Sequence, residues 1–323
     1  MKLGRAKSVP APVAVLAAVE ATVAAAVPIA AGLPRETFAQ RAGTNACPPD
    51  LAKIPTRMAA PTEVLYKTPH GNPNGLALSS KPDELWVLDQ GSESWVSLTR
   101  LADGSLIREF RCDLVAASGL VIDDNNVMWV TSTHNSLIVS IDPANGRTIA
   151  KYVTPGAGRI YKKKGDPAQR STTLKPAYPR PPAVAAPRGP QLPPGQMPLD
   201  SEEGAGGTGA HGILSKGDLL IYVCPPSRAI FVINQKTWEV QDVWPTPGNR
   251  PHGITWVDSS KTSFWNVDSN LNTFYRYDAN NGAILEAVTV REEPHTVCHG
   301  AKLIGNYMYF CDDVGWLCRI KWD

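Results

Sequence analysis

Short runs of alternating and continuous apolar residues recur along most of this chain, separated by polar turns, and no stretch keeps the 3.6-residue apolar period of a helix. "NGLALSSKPDELWVLDQGSESWVSLT" is answered by "SGLVIDDNNVMWVTSTHNSLIVSID". Then follow "HGILSKGDLLIYVCPPSRAIFVIN", "HGITWVDSSKTSFWNVDSNLNTFYRYD" and "HGAKLIGNYMYFCDDVGWLCRIKWD". Each segment reads as strand, polar turn, aromatic strand, short turn, strand. The complete units add a turn such as "DPANGR" or "DANNGA" and a fourth strand, "TIAKYV" or "ILEAVTV".

The repeat is marked by Gly75, Gly119, Gly212, Gly253 and Gly300, each followed by an aromatic residue: Trp86, Trp129, Tyr222, Trp265 and Tyr309. Four antiparallel strands in a unit of about 45 residues is the pattern of a β-propeller blade, whose faces are buried only by its neighbours. The chain is therefore read as an all-β propeller with five blades visible. The last unit stops after its third strand, and "EVLYKTP" at 63–69 supplies the fourth, so both chain ends close the ring. The separation of 93 residues between Gly119 and Gly212 leaves six blades as the alternative. Against six stands the Pro/Gly-rich composition of 155–209, an insertion with no strand alternation.

Residues 1–46 form a basic start (Lys2, Arg5, Lys7) and an Ala/Val-rich stretch, read as an export signal with a flexible leader, or else as a disordered or weakly helical tail. The expected domain is then 47–323, a secreted or periplasmic monomer without a stable membrane span. Six cysteines, at 47, 112, 224, 298, 311 and 318, suit export with one to three disulfides, Cys311–Cys318 being the favoured pair, or else small apolar filling of strand faces. A net charge of +2 gives no ground for nucleic-acid binding, and no haem CxxCH motif is present.

Propeller topology puts two sets of positions on one mouth of the channel. Immediately before each glycine stand Asn74, Ser118, His211, His252 and His299, and three residues after each aromatic stand Asp89, Ser132, Pro225, Asp268 and Asp312, with His134 and Asp313 adjacent. Three imidazoles from consecutive blades, with His295 in the loop before His299, suit a divalent ion such as zinc with an open position, the carboxylates serving as general base or outer support. The bland alternative is a set of hydrogen-bonded structural histidines. The insertion at 155–209 starts and finishes on this face, where it is expected to act as a lid carrying Arg159, Tyr161 and Lys162–Lys164. Arg250 is the candidate for an anionic substrate group, with Asn74, Asp89 and Tyr161 as further substrate contacts.

The unit at 251–268, "PHG" through "VD", and the ring of such units resemble the superfamily of streptogramin B (virginiamycin B) lyase and other NHL-type propellers, over roughly 63–154 and 210–323. In that family a histidine opening an inner strand works with an acid at the end of the next strand and a magnesium ion. The matching positions are His252 with Asp268, and His299 with Asp312 or Asp313. Aspartate replaces the family's glutamate, and the blades number fewer than seven. The trio His211, His252 and His299 is also similar to the zinc ligands of peptidyl-hydroxyglycine lyase, while the acidic metal-ligand set of gluconolactonases is missing. The resemblance implies an exported, metal-assisted lyase acting on a small-molecule or peptide substrate, with catalytic residues His252, Asp268, His299, Asp312 and His295. The alternative is a non-catalytic ligand- or protein-binding scaffold.

Overall fold

Two short strands, β1 (Thr56–Met58) and β2 (Thr62–Lys67), precede five sheets. Blade 1 is β3 (Pro73–Leu78), β4 (Glu84–Gln90), β5 (Ser94–Arg100) and β6 (Leu106–Cys112). Blade 2 is β7 (Ala117–Ile122), β8 (Met128–Ser132), β9 (Leu137–Ile141) and β10 (Thr148–Val153), with β11 (Gln196–Met197) added outside. Blade 3 is β12 (Ile213–Lys216), β13 (Leu219–Cys224), β14 (Ala229–Asn234) and β15 (Val240–Pro245). Blade 4 is β16 (Pro251–Trp256), β17 (Ser263–Asp268), β18 (Thr273–Asp278) and β19 (Ile284–Thr289). Blade 5 is β20 (Ala301–Ile304), β21 (Tyr307–Cys311) and β22 (Trp316–Lys321), completed by β2, which pairs antiparallel with β22 as the sequence predicts. This computed structural model describes residues 51–91, 93–157, 192–193, 195–197, 199, 208–248, 250–291, 297–312 and 314–322.

Second strands such as β4 and β17 are buried along nearly their whole length because both blade faces are covered, which is why they read as unbroken apolar runs. Five apolar clusters each join two blades. Ala77, Trp86 and Leu88 meet Leu120, Met128 and Leu137 between blades 1 and 2. The ring closes where Leu76, Leu85 and Val87 of blade 1 meet Tyr309, Cys311 and Leu317 of blade 5. Each large side chain fully buried in this way contributes about 1.5–3 kcal/mol relative to exposure.

The repeated glycines have a steric cause. A Cβ on Gly75 would lie 2.6 Å from the Ser118 carbonyl oxygen, and on Gly119 2.2 Å from that of His211. On Gly212 and Gly253 it would lie 2.3 Å from the carbonyls of His252 and His299, and on Gly300 2.8 Å from that of Asn74. Each inner strand thus presses on the residue before the next blade's glycine, and five such steps return to the start. The ring closes with five blades, and the glycines on either side of the 93-residue gap, Gly119 and Gly212, stand on neighbouring ones. Farther out, an aromatic ring on one blade's outer strand lies under the next blade's last turn. Phe110 underlies Gly146 (φ +77°) and Trp244 underlies Gly282 (φ +71°), so a side chain at either turn would meet both backbone strain and the ring.

Two outer edges carry extra strands: β1 runs parallel to β19, and β11 runs antiparallel to β10. The described part of the insertion therefore reaches the perimeter of blade 2. Its last residues come to the channel mouth, where the Gly209 amide donates to the Thr133 carbonyl at 2.6 Å. The expected lid, with Arg159, Tyr161 and Lys162–Lys164, lies outside the described residues, as do the leader 1–46, His295 and Asp313.

The expected Cys311–Cys318 disulfide is not formed; both cysteines are free and buried. In the β21–β22 hairpin Cys318 is opposite Phe310 and Cys311 is opposite Leu317, so strand alternation turns the two thiols to opposite faces. Cys318 packs between blades 4 and 5, Cys311 between blades 5 and 1. Cys112, Cys224 and Cys298 are likewise free and buried, as the apolar-filling alternative anticipates. Among the described residues no helix is long and apolar enough to cross a membrane.

Candidate functional site

The residue before each glycine is aimed by a local irregularity. Pairing of inner and second strands slips between Pro73 and Gly75, between Ala117 and Leu120, and between Pro251 and Ile254, so Asn74, Ser118 and His252 sit in bulges that redirect a side chain. His211 and His299 precede their strands, and their amides donate to the Val223 and Cys311 carbonyls at 2.9 and 2.8 Å.

These five side chains meet. Ser118 Oγ is 3.0 Å from Asn74 Oδ1 and 2.9 Å from His211 Nδ1. His211 Nδ1 is 3.2 Å from His252 Nδ1, the two rings meeting edge to face. His252 stacks on His299 with 4.6 Å between centroids and 7° between planes. Beyond His299, the guanidinium of Arg250 donates from Nη2 to His299 Nε2 at 3.3 Å. The sequence-derived convergence of Asn74, His211, His252, His299 and Arg250 is thus present.

The acids of the second set serve their own loops. Asp268 accepts the Arg250 amide at 2.8 Å on Oδ2, and those of Asn270 and Leu271 at 3.0 and 3.1 Å on Oδ1. Asp312 accepts the amides of Val314 and Trp316, and Asp89 accepts the Asn72 amide and the Thr68 hydroxyl. Asp268 so fixes the backbone that carries Arg250. Burial pushes the carboxyls of Asp89 and Asp268 up, against the opposing pull of these amides.

The histidines are only 7, 2 and 4% exposed at 211, 252 and 299, and this burial dominates their acid–base behaviour. It pushes His211 down to about 3, helped by Arg250, His299 and the exposed His134. Burial and Arg250 push His299 to about 3 against a small pull from the Pro73 backbone, and burial holds His252 well below its ordinary value. All three rings are neutral near pH 7. His252 Nε2 is buried without a hydrogen-bond partner among the described residues.

A tetrahedral zinc spaces its nitrogen ligands by about 3.3 Å, which the Nδ1 atoms of His211 and His252 approach. The third imidazole does not fit. His299 lies parallel to His252, so their in-plane lone pairs do not converge, and its Nε2 faces a guanidinium cation. Among the described residues no group of three or more His, Cys, Asp or Glu side chains is arranged to hold a metal ion.

Two members of the network escape the glycine-register reading. Gln90 donates from Nε2 to the Ala116 carbonyl at 3.0 Å and accepts from Asn74 Nδ2 at 3.0 Å, and Thr133 Oγ1 lies 3.5 Å from His211 Nε2. Both stand one residue after the second-strand column, at Asp89 and Ser132, and that offset is the signal for them.

No protein-family model matches the sequence, and no curated protein matches it. The structure is similar to glutaminyl cyclase of Myxococcus xanthus, with a TM-score of 0.52 at 7% identity over 82% of this chain and 97% of that one. That likeness shows the shared propeller fold alone. A catalytically inactive virginiamycin B lyase from Staphylococcus aureus with quinupristin gives 0.42 at 16% identity, covering 80% of this chain and 69% of that one. A streptogramin B lyase gives 0.42 at 17% over 79% and 67%. At that level the two lyases add nothing to the fold assignment.

Proposed function

We propose that this protein is an exported, monomeric propeller enzyme of lyase type, in which His252 moves a proton on a small-molecule or peptide substrate held at the channel mouth by Arg250. One observation carries the reading: the buried imidazole of His252, whose Nε2 has no hydrogen-bond partner among the described residues, stacks on His299, which accepts from the guanidinium of Arg250, in a ring assembled from all five blades. A neutral ring near pH 7 takes a proton at a bare nitrogen or polarises a substrate oxygen through its N–H, and a general acid–base group in reach of a bond-breaking step is worth about 10²–10⁴ in rate. Arg250 would hold a carboxylate or carbonyl oxygen. Asp268 would act on Arg250 through its backbone. No step is routed through a metal, because the three imidazoles do not present their lone pairs to one point. With the described cysteines free, export rests on the leader at 1–46.

Wild-type protein and His252→Asn incubated with quinupristin and with an N-terminal glutaminyl peptide, read by chromatography and mass spectrometry, test this reading. The expected result is turnover of one of them by wild type and a loss of about 100-fold or more in the variant. Binding without turnover in wild type would favour the non-catalytic scaffold, and turnover retained by His252→Asn would contradict the role given to His252.

A further inference from the structure

The hydrogen-bond network fixes the direction of every proton in the ring. The Ala116 carbonyl can only accept, so the group of Gln90 that faces it is the amide NH₂. Gln90 Oε1 must then accept from Asn74 Nδ2, which leaves Asn74 Oδ1 toward Ser118. Because Asn74 Oδ1 can only accept, the Ser118 hydroxyl donates to it. The reverse would set lone pairs against each other at 3.0 Å. Ser118 Oγ then offers His211 Nδ1, at 2.9 Å, only lone pairs, so His211 carries its proton on Nδ1. The Nδ1–H of His211 also faces His252 Nδ1 at 3.2 Å, where a second N–H would set proton against proton, so Nδ1 of His252 is bare. The remaining proton of neutral His252 is on Nε2, the nitrogen that has no partner among the described residues. At the other end, Arg250 can only donate to His299 Nε2, so the proton of His299 is on Nδ1.

We infer that a relay Ala116–Gln90–Asn74–Ser118–His211 holds His252 as its Nε2–H tautomer at this mouth, and that His252 with Arg250 takes the negatively polarised oxygen of a carboxylate or amide-carbonyl substrate. Gln90, Asn74 and Ser118 are positioning residues acting through His211. The inference deepens the function proposed above and rests on it for the word substrate; the tautomers do not depend on turnover. Leaving a buried donor unmade costs about 1–3 kcal/mol, which an incoming oxygen acceptor recovers. A carbonyl or carboxylate oxygen fits the Nε2–H of His252 and the Arg250 guanidinium, both of which can only donate; a cationic group fits neither. The same proton placement occupies the Nδ1 that a metal would need on His211.

The test is nitrogen-15 spectroscopy of histidine-labelled full-length protein, in wild type, Ser118→Ala, Ser118→Thr and Arg250→Ala. Wild type is expected to show His252 protonated on Nε2 and His211 on Nδ1, with no change on adding zinc. Ser118→Ala removes the fixed polarity and is expected to mix the two His252 tautomers, and Ser118→Thr is expected to restore the wild-type pattern. Titration with acetate should move the His252 Nε2 resonance and bind at least about tenfold more weakly to Arg250→Ala, a 1.4 kcal/mol loss. His252 protonated on Nδ1 in wild type would overturn the relay even if the variants fail to fold. Tautomers unaltered in a folded Ser118→Ala, or His211 Nδ1 deprotonated by zinc, would do the same. A tautomer pattern as stated in a protein that turns nothing over would overturn the enzymatic reading and leave the relay standing.

Discussion

The Nδ1 atoms of His211 and His252 lie 3.2 Å apart, although 41 residues separate the two and each belongs to a different blade. Two charged imidazolium rings could not occupy this arrangement, since each would carry a proton on the facing nitrogen.

Acid sensitivity follows. His211, His252 and His299 have folded values pushed below 6.5, so their contribution to stability is fully present above about pH 6.5 and is lost as pH falls toward about 3, where the unfolded chain alone takes up protons. Asp89 and Asp268, pushed above the ordinary 3.8, act with the opposite sign from about pH 3.8 upward, inside that range. The melting temperature is expected to fall steadily between pH 6.5 and 5, and His252→Gln to flatten the slope. A melting temperature independent of pH across that window would contradict the assignment.

Closure of the ring rests on absent side chains. Gly253→Ala places a Cβ 2.3 Å from the His299 carbonyl oxygen and is expected to cost about 3 kcal/mol, the upper end for overpacking. Gly217→Ala, at φ +55° with nothing within 4 Å, is expected to cost about 1 kcal/mol. Denaturant unfolding of both variants measures the contrast, and equal costs would remove the steric account of the repeat.

Asp268 tests whether an acid of the second set is catalytic or positioning. Asp268→Asn replaces one acceptor oxygen by a donor facing backbone amides, and should destabilise by about 2 kcal/mol while raising KM more than it lowers kcat, through a displaced Arg250. Unchanged stability with kcat reduced about 100-fold would make it a proton carrier instead.

The thiols give an independent check on the strand register. Alkylation of unreduced, denatured protein should label Cys311 and Cys318 completely. In the native state burial, which pushes Cys112 and Cys318 up to about 12, should slow labelling by orders of magnitude. A Cys311–Cys318 cross-linked peptide would require a different pairing of β21 and β22.

Blades, ring closure and the convergence of the three histidines were legible because the channel excludes a Cβ at one position per blade, and the residue before that position is the corner of the next contact. The spacing of Gly75, Gly119, Gly212, Gly253 and Gly300 records that geometry directly. Less could be read where a side chain's direction decides. Asp268 and Asp312 occupy the expected column, but a column does not tell a carboxylate facing the channel from one turned onto the amides of its own loop. Cys311 and Cys318 look adjacent across a turn, yet the pleat separates them, and only the pairing of Phe310 with Cys318 reveals it. The stack of His299 on His252, which spoils the metal geometry, depends on ring planes that no spacing encodes.

Three imidazoles that converge and remain neutral form the centre of the site, and a pH titration of the six histidine ring signals by nitrogen-15 spectroscopy tests them most directly. Three signals, lost one at a time in the variants at 211, 252 and 299, should keep a neutral pattern from pH 8 to pH 5 and show a coupling between the first two. Ordinary titration of these rings near pH 6.5, independent of one another, would contradict this arrangement.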